Sequence, residues 1–233
     1  MSIFKFKQFE VDQTGCAMKI NTDGVLLGAT VTHPSPEAIL DIGTGTGVIA
    51  LMLAQRFPDA CIHAVEIDEQ AAETAEKNFQ FSVFNQRLTI NHISIEQYEY
   101  AQQFDLIVSN PPFFVNDLKS EEFRKGIARH ADEDFFSMLV KKSSELLADE
   151  GMIWLILPVK QANEVISTAA GYGLSLAERI HIHSDQSKPT FRQMICLKKG
   201  ETVLKERDFN IYESLKQHTA AYKELLKDFF LAF

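Results

Sequence analysis

The chain has 233 residues, 45% hydrophobic and 24% charged, which suits one large α/β domain with small appendages. Its 23 basic residues against 32 acidic ones leave a net charge of −9, so a general polyanion-binding surface is excluded and any nucleic-acid contact must come from a local basic patch. No run approaches the roughly 18 apolar residues of a membrane span, and Cys16, Cys61 and Cys196 form neither a disulfide framework nor a metal-ligand spacing, so a reducing, cytoplasmic setting without a metal is expected.

Residues 3–11 alternate apolar and polar side chains, which predicts a short hairpin or arm. Thr22 or Asp23 is placed to cap a helix that runs through Val25, Leu26 and Leu27. The His33-Pro34-Ser35-Pro36 break then divides an N-terminal piece, 1–36, from a main domain, 37–233.

From Ala38 the pattern alternates strand and helix, with strands over 39–42, 61–66, 88–93 and 104–108. Helices are expected over 48–57 and 69–81, with a short one near 95–101. Such alternation predicts a parallel sheet with helices on both faces. Residues 115–132 carry charges of both signs without a period and read as a long loop or lid. A helix through Phe135, Phe136, Leu139, Val140 and Leu146 is expected to end at Gly151, before a strand over 152–157 and a helix over 160–170. Strands over 174–183 and 190–197 are joined by a short polar turn and must be antiparallel. Finally, Ile211, Leu215, Thr219, Tyr222, Leu226, Phe229 and Phe233 recur at three-to-four spacing, which predicts an amphipathic C-terminal helix. The sum is a Rossmann-like α/β fold with a seven-stranded, mostly parallel sheet that ends in an antiparallel hairpin.

Asp41-Ile42-Gly43-Thr44-Gly45-Thr46-Gly47 lies between the first strand of the main domain and its helix. Glycines there let the backbone turn sharply and approach a ligand. Glu66, closing the second strand, is spaced to accept hydrogen bonds from ribose hydroxyls. A nucleoside cofactor follows, although a tight turn without a ligand would use the same glycines. Gly45-Thr46-Gly47-Val48-Ile49-Ala50 also satisfies the dinucleotide pattern. Asp41 argues against a dinucleotide, because its carboxylate can hold an ammonium group but repels a pyrophosphate. S-adenosylmethionine, which has the ammonium and no phosphate, fits better.

Ser109-Asn110-Pro111-Pro112-Phe113 follows the fourth strand, where ligands bind in an open α/β sheet. The two prolines fix φ and remove two donors, which holds the Asn110 and Pro111 carbonyls in place. Acceptors beside the Phe113 ring suit a flat, amino-bearing group; the same residues could also make a proline-stiffened strand exit. Arg124, Lys125, Arg129 and His130 lie just beyond this turn, and Lys188, Arg192, Lys198 and Lys199 on the late hairpin, each a candidate phosphate contact or a solvated charge.

These motifs, in this order, resemble a class I S-adenosylmethionine-dependent methyltransferase acting on an amino nitrogen. More narrowly, Lys19-Ile20-Asn21-Thr22-Asp23-Gly24-Val25-Leu26-Leu27-Gly28-Ala29 and the aromatic C-terminus are similar to the bacterial tRNA1(Val) adenine-N6 methyltransferases. The resemblance implies that Asn110 and Pro111 accept the two N–H bonds of an adenine amino group and that Phe113 stacks on the flipped base. It places Asp41, Gly43, Gly45, Gly47, Glu66, Asn110 and Thr22 at the cofactor. It also implies a tRNA substrate, no membrane or metal, and a monomer. One position departs from the family pattern: where an acidic residue often reaches the cofactor's adenine, Ser94 stands here, able to accept through its hydroxyl without a full charge. The same turn would also serve guanine-N2 methylation of ribosomal RNA or glutamine-N5 methylation of a protein, and a binding module without catalysis is the alternative of a different class.

Overall fold

A strand that is apolar at nearly every position is buried only in a sheet covered on both faces, and such runs recur along this chain. The computed structural model describes residues 2–14, 16, 19–112 and 130–233, without the side chains of 130–134. In chain order the elements begin with β1 (Ile3–Lys5), β2 (Glu10–Asp12), α1 (Thr22–Thr30), β3 (Ala38–Ile42), α2 (Val48–Arg56), β4 (Cys61–Glu66), α3 (Glu69–Phe81), β5 (Leu88–His92) and β6 (Phe104–Ser109). They continue with α4 (His130–Leu146), β7 (Leu147–Leu157), α5 (Val159–Ala170), β8 (Leu174–Asp185), β9 (Thr190–Lys199), β10 (Lys205–Ser214), β11 (Gln217–His218) and α6 (Ala220–Leu226).

A nine-stranded sheet has the order β11-β10-β8-β9-β7-β6-β3-β4-β5, and β1 and β2 form a separate hairpin. Strands β3 to β7 are mutually parallel, β9 is antiparallel to both β7 and β8, and β10 runs parallel to β8. Each interior strand feeds two cores. In β6, Leu106 and Val108 join the core shared with α1, α2, α3 and the N-terminal hairpin, while Ile107 joins the core under α4 and α5. Trp154 and Ile156 of β7 likewise face the first core, and Ile153, Leu155 and Leu157 the second. Burying each such side chain contributes roughly 1.5–3 kcal/mol, so both layers are needed to hold the sheet's C-terminal edge, where β3, β4 and β6 all end.

Helix α1 crosses α2 closely because Gly28 has no side chain; a Cβ there would stand 3.0 Å from the Met52 sulfur. The Arg56 guanidinium donates to the Gly28 carbonyl (2.9 Å) near the end of α1, and Arg87 donates to the carbonyls of Ala54, Phe57 and Ala60 at the end of α2. The N-terminal hairpin packs Phe6 and Phe9 against each other (4.4 Å) and Phe6 near Phe230 (5.8 Å).

The sheet has nine strands rather than seven because residues 205–218 build β10 and β11, which take up the first part, from Ile211, of the stretch where three-to-four spacing predicts a helix. Phe209 and Ile211 are both buried and two apart, the period of a strand, whereas Leu215 sits 92% exposed at the hairpin tip beside Lys216, whose φ is +64°. Only 220–226 is helical, with the Thr219 hydroxyl accepting from the Tyr222 N–H as its cap. The short helix expected near 95–101 is reduced to a turn over 95–97: Tyr98 and Tyr100, two residues apart, stack on each other along non-helical backbone, and Tyr100 also stacks on Phe104 at the start of β6. Gly151 lies inside β7 rather than ending α4. Leu147 pairs at once with Phe104, the chain bulges, and regular pairing with β6 resumes at Met152 with Leu106.

Candidate active site

Parallel pairing of Ile42 with Ser109 sets the exits of β3 and β6 side by side, so the glycine turn and Asn110 open on the same edge. The Ser109 hydroxyl donates to the Ile42 carbonyl (2.8 Å) and stitches the two exits together. In the turn, Gly43, Gly45 and Gly47 have φ of +70°, +58° and +83°, a left-handed repeat that β-carbons would strain. Their roles differ. A Cβ on Gly43 or Gly45 would meet nothing within 4 Å, whereas one on Gly47 would stand 2.5 Å from a ring carbon of Phe79. Gly47 therefore serves packing and the start of α2, and the open space lies over Gly43 and Gly45.

Asp41 is fully buried beneath this turn. Its Oδ2 accepts from the Thr44 hydroxyl at 2.6 Å, and its Oδ1 has no hydrogen-bond partner of good geometry among the described residues. Burial pushes its carboxyl up to about 7; the Thr44 hydroxyl and the Ala50 backbone N–H oppose this shift and the Glu66 charge adds to it. Glu66 closes the turn from β4, with Oε2 accepting from the Gly45 N–H (2.8 Å) and Oε1 from the N–H groups of Ile67 (2.9 Å) and Asp68 (3.0 Å). Ile67, just beyond, is 61% exposed. The Ile93 N–H donates to the Glu66 carbonyl, which brings the segment after β5 alongside, and there the Ser94 hydroxyl accepts from the Gln97 N–H (3.3 Å).

On the β6 side, the Asn110 amide is within reach of α1. Asn21, not Thr22 or Asp23, caps that helix: its Oδ1 accepts from the Gly24 N–H (2.8 Å) and also from Asn110 Nδ2 (3.5 Å). Thr22 is exposed on the first turn of α1. Asp23, 8% exposed, pairs with Arg192 of β9, Nε to Oδ2 at 2.8 Å. Asn110 Oδ1 points away from Asn21, buried and without a hydrogen-bond partner among the described residues. Asp105, also on β6, accepts from the N–H groups of Glu37 and Ala38 and fixes the entry to β3.

The structure thus gathers Asp41, Gly43, Gly45, Glu66, Ser94 and Asn110 along one sheet edge. Phe113, Arg124, Lys125 and Arg129 lie outside the described residues. Lys188 is exposed on the β8–β9 turn, and Arg192 is held by Asp23 with its guanidinium 5.4 Å from the Phe191 ring centroid. Among the described residues no group of three or more His, Cys, Asp or Glu side chains could hold a metal, and no helix is long and apolar enough to cross a membrane. Two contributors are not evident from the motifs. Asn78 of α3, 5% exposed, donates to the carbonyls of Thr46 (2.8 Å) and Asp12 (3.0 Å) and so fastens the glycine turn to β2. Asn21 is the other; a polar residue within reach of a helix start was its only signal.

A parallel α/β sheet with an antiparallel strand inserted beside β7, a glycine turn after β3 and an acidic residue ending β4 define an α/β methyltransferase, and residues 16–172 match the family described as Methyltransferase small domain. Solved structures agree at identities that speak to fold alone. A predicted O-methyltransferase from Agrobacterium tumefaciens superposes with a TM-score of 0.70 at 19% identity over 89% of this chain and 96% of that one. The ribosomal protein L11 methylase of Lactobacillus delbrueckii subsp. bulgaricus gives 0.55 at 15% over 76% and 78%. More narrowly, the chain belongs to the family of the tRNA1(Val) (adenine(37)-N6)-methyltransferases, being 56% identical to the protein of that name from Pedobacter heparinus over 99% of this chain and 98% of that one. The proteins of the same name from Christiangramia forsetii and Bacteroides thetaiotaomicron are 39% and 38% identical, each over 98% of this chain and 97% of their own.

Proposed function

We propose that this chain transfers a methyl group from S-adenosylmethionine to the N6 amino nitrogen of an adenine in tRNA, adenine 37 of tRNA1(Val) as in its relatives' name. The observation that carries the reading is Asn110 Oδ1, a buried acceptor without a partner among the described residues, where β6 leaves the sheet beside the glycine turn. An unpaired buried acceptor costs about 1–3 kcal/mol, and an incoming N–H removes that cost.

The residues fit S-adenosylmethionine. Asp41 Oδ1 is a second unpartnered acceptor, suited to an ammonium group, and Gly43 and Gly45 leave room for a ligand against the backbone. Glu66 keeps lone pairs for ribose hydroxyls, and the exposed Ile67 and the Ser94 hydroxyl offer an apolar face and an acceptor to the adenine. When bound, S-adenosylmethionine supplies an electrophilic methyl group on a sulfonium.

An exocyclic amino nitrogen is a weak nucleophile because its lone pair is delocalised into the ring. Asn110 Oδ1 accepts one of its N–H bonds and the Pro111 carbonyl the other, which draws the nitrogen towards sp3 geometry and aims the lone pair. As the new N–C bond forms, the S–CH3 bond breaks and the donor leaves as the neutral thioether; the two carbonyl dipoles stabilise the positive charge on the methylated nitrogen until one N–H proton passes to solvent. Phe113 stacks on the flipped base. Lys188, together with Arg124, Lys125 and Arg129, supplies phosphate contacts, and Arg192 flanks their path from the α1 side.

Nucleoside mass spectrometry of tRNA and rRNA from cells with and without the gene tests this reading. N6-methyladenosine should vanish from one tRNA species and return when purified protein and S-adenosylmethionine are added. Loss of N2-methylguanosine from rRNA instead, or unchanged tRNA, would overturn it.

A further inference from the structure

The polarity of the Asn110 amide matters more than its position. A carboxamide turned over by 180° fills the same space but presents a donor where the substrate amino group needs an acceptor. We infer that Asn21 is a positioning residue that locks the Asn110 amide with its oxygen towards the substrate. This inference rests on the proposed role of Asn110 as acceptor.

Its logic starts from a group whose polarity is never in doubt. The backbone N–H of Gly24 can only donate, and it donates to Asn21 at 2.8 Å, so the Asn21 atom beside it is the carbonyl Oδ1. That same oxygen lies 3.5 Å from the Asn110 amide. An acceptor facing the amide admits only its NH2 group, so Asn110 Oδ1 is turned the other way. It is found there, buried and without a partner among the described residues. The helix that carries Asn21 is itself held in place by the Asp23–Arg192 pair, whose side chains are 12% and 24% exposed. Gly24 lies at the junction of the two amides: a Cβ on it would be in ordinary contact with both, 3.5 Å from Asn21 Oδ1 and 3.6 Å from Asn110 Nδ2.

Asn21→Ser separates the lock from the cap. Serine is as good a cap as asparagine, so α1 and the melting temperature are preserved, but its shorter side chain does not reach Asn110. We expect kcat to fall by about 5-fold, the scale of one neutral hydrogen bond, with the dissociation constant of S-adenosylmethionine unchanged. Asn21→Asp keeps the acceptor at full length and should recover most of the lost turnover. On an Asn110→Ala background, Asn21→Ser should cost nothing further, because the two act as a unit. A wild-type kcat for Asn21→Ser, or equal losses in the serine and aspartate variants, would overturn the inference while leaving the acceptor role of Asn110 standing. That role fails separately, if Asn110→Ala alone keeps its rate.

Discussion

The two sides of the candidate site are assembled in opposite ways. The donor side is built from its own neighbourhood: Asp41 is bound by Thr44, three residues on, and Gly45 by Glu66, 21 residues away. On the acceptor side, Asn110 meets Asn21 across 89 residues, and Asn21's helix is held by a pair that spans 169. The glycine turn is therefore set as soon as β3, α2 and β4 pack, whereas the amide needs both α1 and β9 in place. Damage to the first should show in cofactor binding, and damage to the second in turnover.

Substitutions can break this division. The largest effect is expected from Gly45→Val, which fills the open space over the turn and strains a φ of +58°; calorimetry should detect no S-adenosylmethionine binding. Binding at wild-type affinity would contradict the assignment of the turn. Asn110→Ala should do the reverse and lower methyl transfer by roughly 100-fold, the scale of losing one positioned polar group, while binding persists. A near-normal single-turnover rate would remove Asn110 from the chemistry. Gly47→Ala should act on neither side specifically. It collides with Phe79 and strains a left-handed turn, so chemical denaturation should report a loss of about 2–4 kcal/mol.

A test of pH rather than of a side chain is the most diagnostic of the donor side. Asp41 titrates near 7 in the folded protein against 3.8 when exposed, so the ligand-free fold takes up a proton that the unfolded chain releases. Its stability should fall as pH rises from about 4 to about 7 and then level off. A cationic ligand requires the ionised form, so S-adenosylmethionine affinity should rise about tenfold per pH unit towards pH 7. Asp41→Asn should flatten both profiles. A melting temperature that is flat with pH in the unmutated protein would show that Asp41 is already ionised without a ligand.

What the sequence revealed follows the same division. The turn at Asp41 to Gly47, Glu66 and the Pro-Pro exit are local motifs, legible because the residues that act together are near one another in the chain. The cap of α1 was not legible, since Asn21, Thr22 and Asp23 are all competent caps and the choice among them is made by a distant partner, Arg192, that claims Asp23. The C-terminal segment misled for a related reason: Ile211 to Phe233 satisfies helical spacing, but the free edge of β8 accepts a further strand, and pairing along 205–214 overrides local periodicity. The bulge before Met152 was hidden because Gly151 is as suitable for a helix end as for an irregular strand.

One contact of the N-terminal hairpin bears on the order in which the molecule can be completed. Lys7 donates to the carbonyl of Phe233, and Phe6 bridges to Phe230, so the hairpin finds its seat only once residues 230–233 pack against it. Until then β2 cannot be steadied from that end, and through Asn78 it is β2 that anchors Thr46. With the hairpin unseated, the glycine turn would lack its final fastening.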